Sequence, residues 1–151
     1  MATSPDTKPF LAAFRRIAVK RGLTPATLSS GQHADFVVVT AAAALALDAG
    51  RHYTEGEVNA RLKDWLAGSG AMLVTDHVEL RRWLVDCRLV ARDGYGREYW
   101  RTAAPAAWRD VLAALDGIDL ATEAAAARQG DAYARAERKA RWKARAPVAP
   151  K

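Results

Sequence analysis

The sequence of 151 residues contains one cysteine, Cys87, so no disulfide can form within the chain. Its three histidines, His33, His52 and His77, are scattered and lack the spacing of a metal site. The sequence also lacks a glycine-rich phosphate loop and a G-x-S-x-G nucleophile motif. These absences argue against catalysis, so we expect no enzyme activity, no bound metal and no cofactor.

Long apolar runs are missing as well. The longest run, residues 36–47, is rich in alanine and is interrupted by Thr40. It is shorter than the roughly 18 apolar residues that a membrane-spanning helix needs. The opening stretch MATSPDTKPF has neither the basic nor the apolar segment of a secretory signal. We therefore expect a cytoplasmic protein that does not associate with membranes, with one main domain and a tail.

Positive charge is abundant, but it is concentrated at one end. Residues 135–151 contain seven basic residues and one acidic residue, a balance that equals the net charge of +6 for the whole chain. Residues 1–134 are therefore neutral. A basic cluster at a terminus attracts polyanions, although it can also be only a solvated, solubilising end. We expect the following tail residues to contact nucleic acid: Arg138, Lys139, Arg141, Lys143 and Arg145. Trp142 lies among them and could stack on a base or pack on the domain.

Apolar periodicity and capping residues predict a mainly α-helical chain. A first helix is predicted over residues 9–21 and a second over 36–49, with a connector between them that contains a short helical turn after Pro25. Thr54 and Glu57 form a T-x-x-E capping box that begins a third helix. Residues 105–117 predict a helix that packs back on the domain. We divide the chain into an N-terminal helix and connector (1–35), a winged-helix-like domain (36–102), a packing helix (103–121) and a basic tail, partly helical or disordered and interrupted by Gly130 (122–151).

Residues 76–88 predict a helix with two distinct faces. Asp76 and Glu79 offer an N-terminal capping pair. Leu80, Trp83, Leu84 and Cys87 repeat at the spacing of a buried stripe. The opposite face carries Arg81, Arg82 and Arg88, with Val78 and Val85 between them. Arg81 and Arg82 could donate to phosphate oxygens or to a guanine edge, or they could pair on the surface with Asp86, Glu79 or Glu55.

The next residues predict a β-hairpin. The segments LVAR (89–92) and REYW (97–100) are joined by the turn sequence DGYG (93–96). Arg92, Tyr95 and Arg97 are the side chains that we expect to hold a nucleic-acid backbone. Tyr99 and Trp100 are expected to cover the core. Helices followed by such a hairpin are the layout of a winged helix-turn-helix.

Three blocks of the sequence, YTEGEVN (53–59), LRRWLVD (80–86) and RDGYGREYW (92–100), resemble the prokaryotic family called domain of unknown function 2087. The resemblance covers about residues 36–101 and implies a small helix-plus-hairpin domain of the kind found in hypothetical proteins and in some bacterial transcriptional regulators. It implies no activity. The link at 67–75 is longer than in compact members of the family. The matching positions are Tyr53, Glu55, Glu57, Val58, Asn59, Leu80, Arg81, Arg82, Leu84, Val85, Asp86, Arg92 and Tyr99.

The sequence favours a DNA-binding transcriptional regulator in which double-stranded DNA contacts the arginine-bearing helix, the hairpin and the tail. The alternative is a protein-interaction module, in which the helix face that carries the arginines with Val78 and Val85 docks an acidic or amphipathic partner, or a second copy, without binding nucleic acid directly.

Overall fold

The structure, a computed structural model, describes residues 7–30 and 33–145. Within these residues it contains seven helices and one three-stranded antiparallel sheet. The helices are α1 (Thr7–Ala18), α2 (Pro25–Ser30), α3 (His33–Ala44), α4 (Glu55–Ala67), α5 (His77–Asp86), α6 (Ala106–Leu115) and α7 (Leu120–Arg145). The strands are β1 (Tyr53–Thr54), β2 (Val90–Arg92) and β3 (Glu98–Arg101). The predicted class, mainly α-helical with a small β-hairpin, is confirmed.

The middle of the chain has the element order of a winged helix. Helix α3 is followed by β1, then by α4 and α5, and then by the hairpin of β2 and β3. Strand β3 is central, because Tyr99 pairs with Tyr53 of β1 on one side and with Arg92 of β2 on the other. Both tyrosines are almost fully buried, which places the sheet at the edge of the core. The strand β1 was not predicted.

Helix α4 begins where the capping box predicted. The Thr54 hydroxyl accepts a hydrogen bond from the Glu57 amide, and the Glu57 carboxylate accepts one from the Thr54 amide, each at 3.2 Å. Helix α5 has only one of the two hydrogen bonds of a capping box. Asp76 accepts from the Glu79 amide at 2.8 Å, whereas the Glu79 carboxylate accepts from the Thr75 hydroxyl at 2.7 Å. The first capping prediction is confirmed, and the second holds for Asp76 alone.

Helix α3 lies at the centre of the molecule. Its residues 37–44 are all buried, and four of them are alanines, so α1 and α6 can approach its backbone closely. The indole of Trp108 in α6 donates to the Thr40 hydroxyl at 2.9 Å. The prediction that residues 105–117 contain a helix packed on the domain is confirmed. The predicted extent of α3 was wrong, because the helix ends at Ala44 and the chain tightens into turns that bury Leu47.

The tail is the part of the chain whose structure differs most from the prediction. Instead of breaking at Gly130, the chain continues as one helix from Leu120 to Arg145. A glycine costs a helix only about 1 kcal/mol relative to alanine, and the strong helix formers on both sides of Gly130 outweigh that cost. Residues 146–151 of the predicted tail lie outside the described residues. No helix within 7–30 and 33–145 has both the length and the apolar character needed to span a bilayer.

Candidate functional site

A cleft of about 240 Å³ lies between helix α5 and the β-hairpin. One side is the outward face of α5, and the other is formed by β2 and β3. Three guanidinium groups, one carboxylate, a tyrosine and two valines line it. They are Val78, Arg81, Arg82, Val85, Asp86, Arg92 and Tyr99. We call this feature the α5–hairpin cleft.

Arg81 lines the cleft and is already partnered. Its guanidinium donates to the Asn59 side-chain oxygen at 2.7 Å and to the Glu55 carboxylate at 3.1 Å. The same group lies 5.3 Å from the centre of the buried Tyr99 ring, within the range of a cation–π interaction. Only 16% of the Arg81 side chain is exposed. The prediction that Arg81 stands on an outward face was wrong, because α4 and β3 both pack against it.

Four positions that carry the resemblance to the bacterial family therefore meet at one guanidinium: Glu55, Asn59, Arg81 and Tyr99. Of the three carboxylates that the sequence offered as partners, Asp86, Glu79 and Glu55, the one paired with Arg81 is Glu55. Asn59 was missed, although its spacing of four residues from Glu55 on α4 places both side chains on one helix face. The arrangement fixes the angle between α4, α5 and the hairpin.

Arg82 and Arg92 are the cleft arginines that face solvent. Both residues are exposed, and neither has an ion pair within the described part of the chain. Asp86 lies in the same cleft and brings one negative charge. Val78 is 41% exposed, so the rim of the cleft is partly apolar. A guanidinium that lacks a carboxylate partner is available to a phosphate or carboxylate of a ligand.

The turn of the hairpin is held by Asp93. Its carboxylate accepts hydrogen bonds from the backbone amides of Arg97 at 2.7 Å and Glu98 at 3.2 Å. Although desolvation acts to raise the pKa of Asp93, these amide hydrogen bonds outweigh it and the pKa is lowered. At the tip, Tyr95 is 85% exposed, and the Arg97 guanidinium lies 5.6 Å from its ring centre. Arg97 and Tyr95 thus form a small exposed pair beyond the cleft.

Arg88 does not share the α5 face that the sequence assigned to it. The helix ends at Asp86, and Arg88 follows with a positive φ of 63°. Its carbonyl oxygen accepts a hydrogen bond from the Thr102 hydroxyl, so its backbone joins α5 to the end of the hairpin. The side chain is exposed but is absent from the lining of the cleft. The placement of Arg88 beside Arg81 and Arg82 was wrong.

The two remaining aromatic residues of the hairpin behave differently from each other. Tyr99 covers the core as predicted. Trp100 is half-buried and stacks on His52, with ring centres 4.8 Å apart.

Cys87 is half-buried. Its pKa is raised by burial and, to a smaller extent, by the charge of Asp86, so the thiol is poorly suited to act as a nucleophile. Within the described residues, no group of three or more His, Cys, Asp or Glu residues could hold a metal ion.

A second basic surface lies on the C-terminal half of α7. All of residues 135–145 are exposed, so this segment extends beyond the packed domain. It has six basic residues and one acidic residue. Arg135 pairs with Asp131 at 2.9 Å and Arg141 with Glu137 at 3.6 Å. The other four have no ion pair with a described residue: Arg138, Lys139, Lys143 and Arg145.

The two basic regions are attached to opposite ends of α4. Arg81 contacts Glu55 and Asn59 in the first turns of α4. Arg128 of α7 donates to the carbonyl oxygens of Gly68 and Ser69, just beyond the last turn. A helix of 13 residues is about 20 Å long, so these attachment points are well separated. The chain therefore presents two basic surfaces instead of one.

Residues 28–101 match the model of a family described as an uncharacterized protein conserved in bacteria, DUF2087. The match spans the part of the chain that contains α3, α4, α5 and the sheet. It leaves out α1, α6 and the basic helix α7. Searches of curated proteins and of solved structures found no match to this chain.

Proposed function

Since residues 28–101 belong to the bacterial DUF2087 family, which carries no assigned activity, we propose that this region binds double-stranded DNA through the α5–hairpin cleft. In this proposal the protein is a non-catalytic transcriptional regulator of the bacterial cytoplasm. The observation that carries it is the position of Arg82 and Arg92 on the two sides of one exposed cleft.

The geometry of the cleft suits a backbone phosphate. Arg82 approaches from the helix and Arg92 from β2, so a phosphate between them would receive hydrogen bonds from two directions. Arg81 is held by Asn59 and Glu55 and its charge is paired, so the contacts to phosphate would come from Arg82 and Arg92. Such contacts position a protein on a duplex, whereas sequence is read at the base edges. Arg82, on the exposed side of α5, would face those edges.

The hairpin tip and α7 extend the proposed interface. Tyr95 and Arg97 project from the turn, where they would meet the backbone beside the groove. The unpaired basic residues of α7 would add affinity through counterion release, which does not depend on sequence.

The test is an electrophoretic mobility-shift titration of the full chain on duplex DNA at two salt concentrations. We expect the double variant R82A/R92A to lose at least tenfold in affinity, because each arginine supplies a charge-assisted hydrogen bond. The control is Lys63→Ala, which removes an exposed charge from α4 outside the cleft and should bind as the original chain does. Equal affinities of R82A/R92A and the control for the duplex would show that the cleft does not bind DNA.

A protein-interaction module is the second candidate, and one observation favours it. Val78 is 41% exposed beside Val85 in the same cleft, an apolar patch that a duplex does not need. If this candidate is correct, V78S/V85S abolishes association with a protein partner or a second copy, and added salt has little effect. Analytical ultracentrifugation of the chain and this variant, without DNA, separates self-association from duplex binding.

A further inference from the structure

The projecting half of α7 has an aromatic residue in the middle of its basic face. At 100° per residue, Trp142 lies within about 60° of four basic residues around the helix. These are Arg135, Arg138, Lys139 and Arg145. The indole is 73% exposed, so it does not cap the helix against the domain. The segment therefore presents an aromatic ring face and positive charge side by side to solvent.

The opposite face of the same segment has a different character. Tyr133 is nine residues before Trp142, which places it about 180° away around the helix. Its neighbours on that face are Ala140, Ala144 and Glu137. Tyr133 is 67% exposed and is therefore almost as accessible as Trp142. Positive charge and the indole thus share one face, while the tyrosine faces the other way.

We propose that this face, which we call the Trp142 face, is a separate binding site for single-stranded nucleic acid. Phosphates of the strand would follow the unpaired cations Arg138, Lys139 and Arg145, and a base would stack on Trp142. A duplex hides the faces of its bases, so it can use the charges but not the indole. Because Arg135 pairs with Asp131, the cations of this face that lack an ion pair with a described residue are those three or four residues from Trp142.

This site goes beyond the α5–hairpin cleft and depends on a different observation. The two regions are held at opposite ends of α4, and α7 lies outside the family match. A strand bound along α7 therefore leaves the cleft free, although it competes with a duplex for the α7 cations. Either site can fail without the other.

The experiment measures fluorescence anisotropy of labelled oligothymidine and oligouridine of 20 nucleotides, and of a 20-base-pair duplex, with the full chain. Trp142→Ala should weaken binding of the single strands about tenfold, and Trp142→Phe should restore most of the affinity, because base stacking on an aromatic ring is sequence-tolerant. Duplex binding by Trp142→Ala should change less than twofold. The two single-strand arms measure binding to DNA and to RNA separately.

The matched control is Tyr133→Ala, which removes an equally exposed aromatic side chain from the opposite face of the same helix. It should bind single strands as the original chain does. Equal losses for Trp142→Ala and Tyr133→Ala would overturn the proposal, as would the absence of binding to both single strands at low salt. Trp142-dependent binding to phosphatidylserine vesicles, without any such dependence on oligonucleotides, would assign the face to a membrane surface instead.

The variant R82A/R92A separates this proposal from the previous one. If the cleft binds duplex and the Trp142 face binds single strands, R82A/R92A loses duplex affinity and keeps single-strand affinity, and Trp142→Ala does the reverse. Loss of both affinities in R82A/R92A alone would mean that the cleft is the shared site and that the Trp142 face is not separate.

Discussion

Neighbouring arginines on α5 have different surroundings and should respond differently to mutation. Arg81 is largely buried between Asn59, Glu55 and Tyr99, whereas Arg82 is exposed. We expect Arg81→Ala to lower the free energy of unfolding by about 2 kcal/mol, the magnitude of hydrogen bonds to a charged group. Arg82→Ala should change it by less than about 0.5 kcal/mol. Urea unfolding followed by circular dichroism measures both, and equal stabilities would show that the hydrogen bonds of Arg81 contribute nothing.

Only part of this difference could be predicted from the local sequence. Arg81 lies about 60° from Leu84 around the helix, at the flank of the apolar stripe, whereas Arg82 lies about 160° away. What decides between them is the position of Asn59, 22 residues earlier, and of Tyr99 on β3. By contrast, the Thr54–Glu57 box was predictable because its partners are three residues apart and need no tertiary contact.

The same capping box makes a small part of the stability depend on pH. The pKa of Glu57 is lowered, chiefly by the hydrogen bond from the Thr54 backbone amide and also by Arg51 at 3.0 Å. A lowered pKa in the folded state means that the ionised form stabilises the fold above the ordinary pKa of about 4.5, and that this contribution is lost as the pH falls through the folded value. We therefore expect Glu57→Gln to be less stable than the original chain at neutral pH. The gap should narrow as the pH falls below about 4.5 in urea titrations, and a gap that does not depend on pH would contradict this expectation.

At the scale of elements, Arg128 joins α7 to two other helices. Its guanidinium donates to the carbonyl oxygens of Ala18 at 2.9 Å, Gly68 at 2.8 Å and Ser69 at 3.1 Å, and desolvation lowers its pKa. These carbonyls lie at the C-terminal ends of α1 and α4, where helices leave such groups without partners. Only the planar fork of an arginine reaches all three at once.

We expect Arg128→Ala to destabilise the protein by about 3 kcal/mol and Arg128→Lys to recover only part of the loss. The released α7 should also become accessible to proteases that cleave after basic residues. The control is Arg135→Ala, which removes one exposed pair on the same helix and should cost less than about 0.5 kcal/mol. Urea unfolding combined with limited trypsin digestion checks both effects. An Arg128→Ala chain as stable and as resistant as the control would show that α7 is held by its apolar contacts alone.

Elements were predictable to the extent that their signals are local. The apolar stripes of α4, α5 and α6 and the turn residues of the hairpin lie within single segments, and these elements were predicted. Strand β1 has two residues, Tyr53 and Thr54, and exists because Tyr99 and Glu98 of β3, more than 40 residues further along the chain, pair with them. The continuity of α7 was missed because Gly130 is a break signal in the sequence, while the hydrogen bonds of Arg128 that hold the helix reach α1 and the residues after α4.

At the scale of the whole molecule, the packed domain and the excess of positive charge lie in different parts of the chain. Residues 1–134 contain the packed domain and no net charge, and the excess of positive charge begins where α7 leaves the domain. A neutral domain has little long-range attraction for a polyanion, so encounter with nucleic acid would be driven by α7. The cleft would then act at short range, through its own geometry.

We therefore expect the salt dependence of duplex binding to have one contribution from α7 and another from the cleft. The four unpaired basic residues of α7 can be replaced together in the variant R138Q/K139Q/K143Q/R145Q. The plot of log K against log salt has a negative slope. Each phosphate that α7 no longer neutralises should make this slope shallower by about 0.9, for a total of up to about 3.6. Affinity that remains at low salt should still depend on Arg82 and Arg92. Neutralising two exposed basic residues elsewhere, K63Q/R109Q, should leave the slope nearly unchanged. If the α7 variant keeps the original slope, duplex DNA does not bind α7, and attraction to the duplex must arise within the cleft despite the neutrality of the domain.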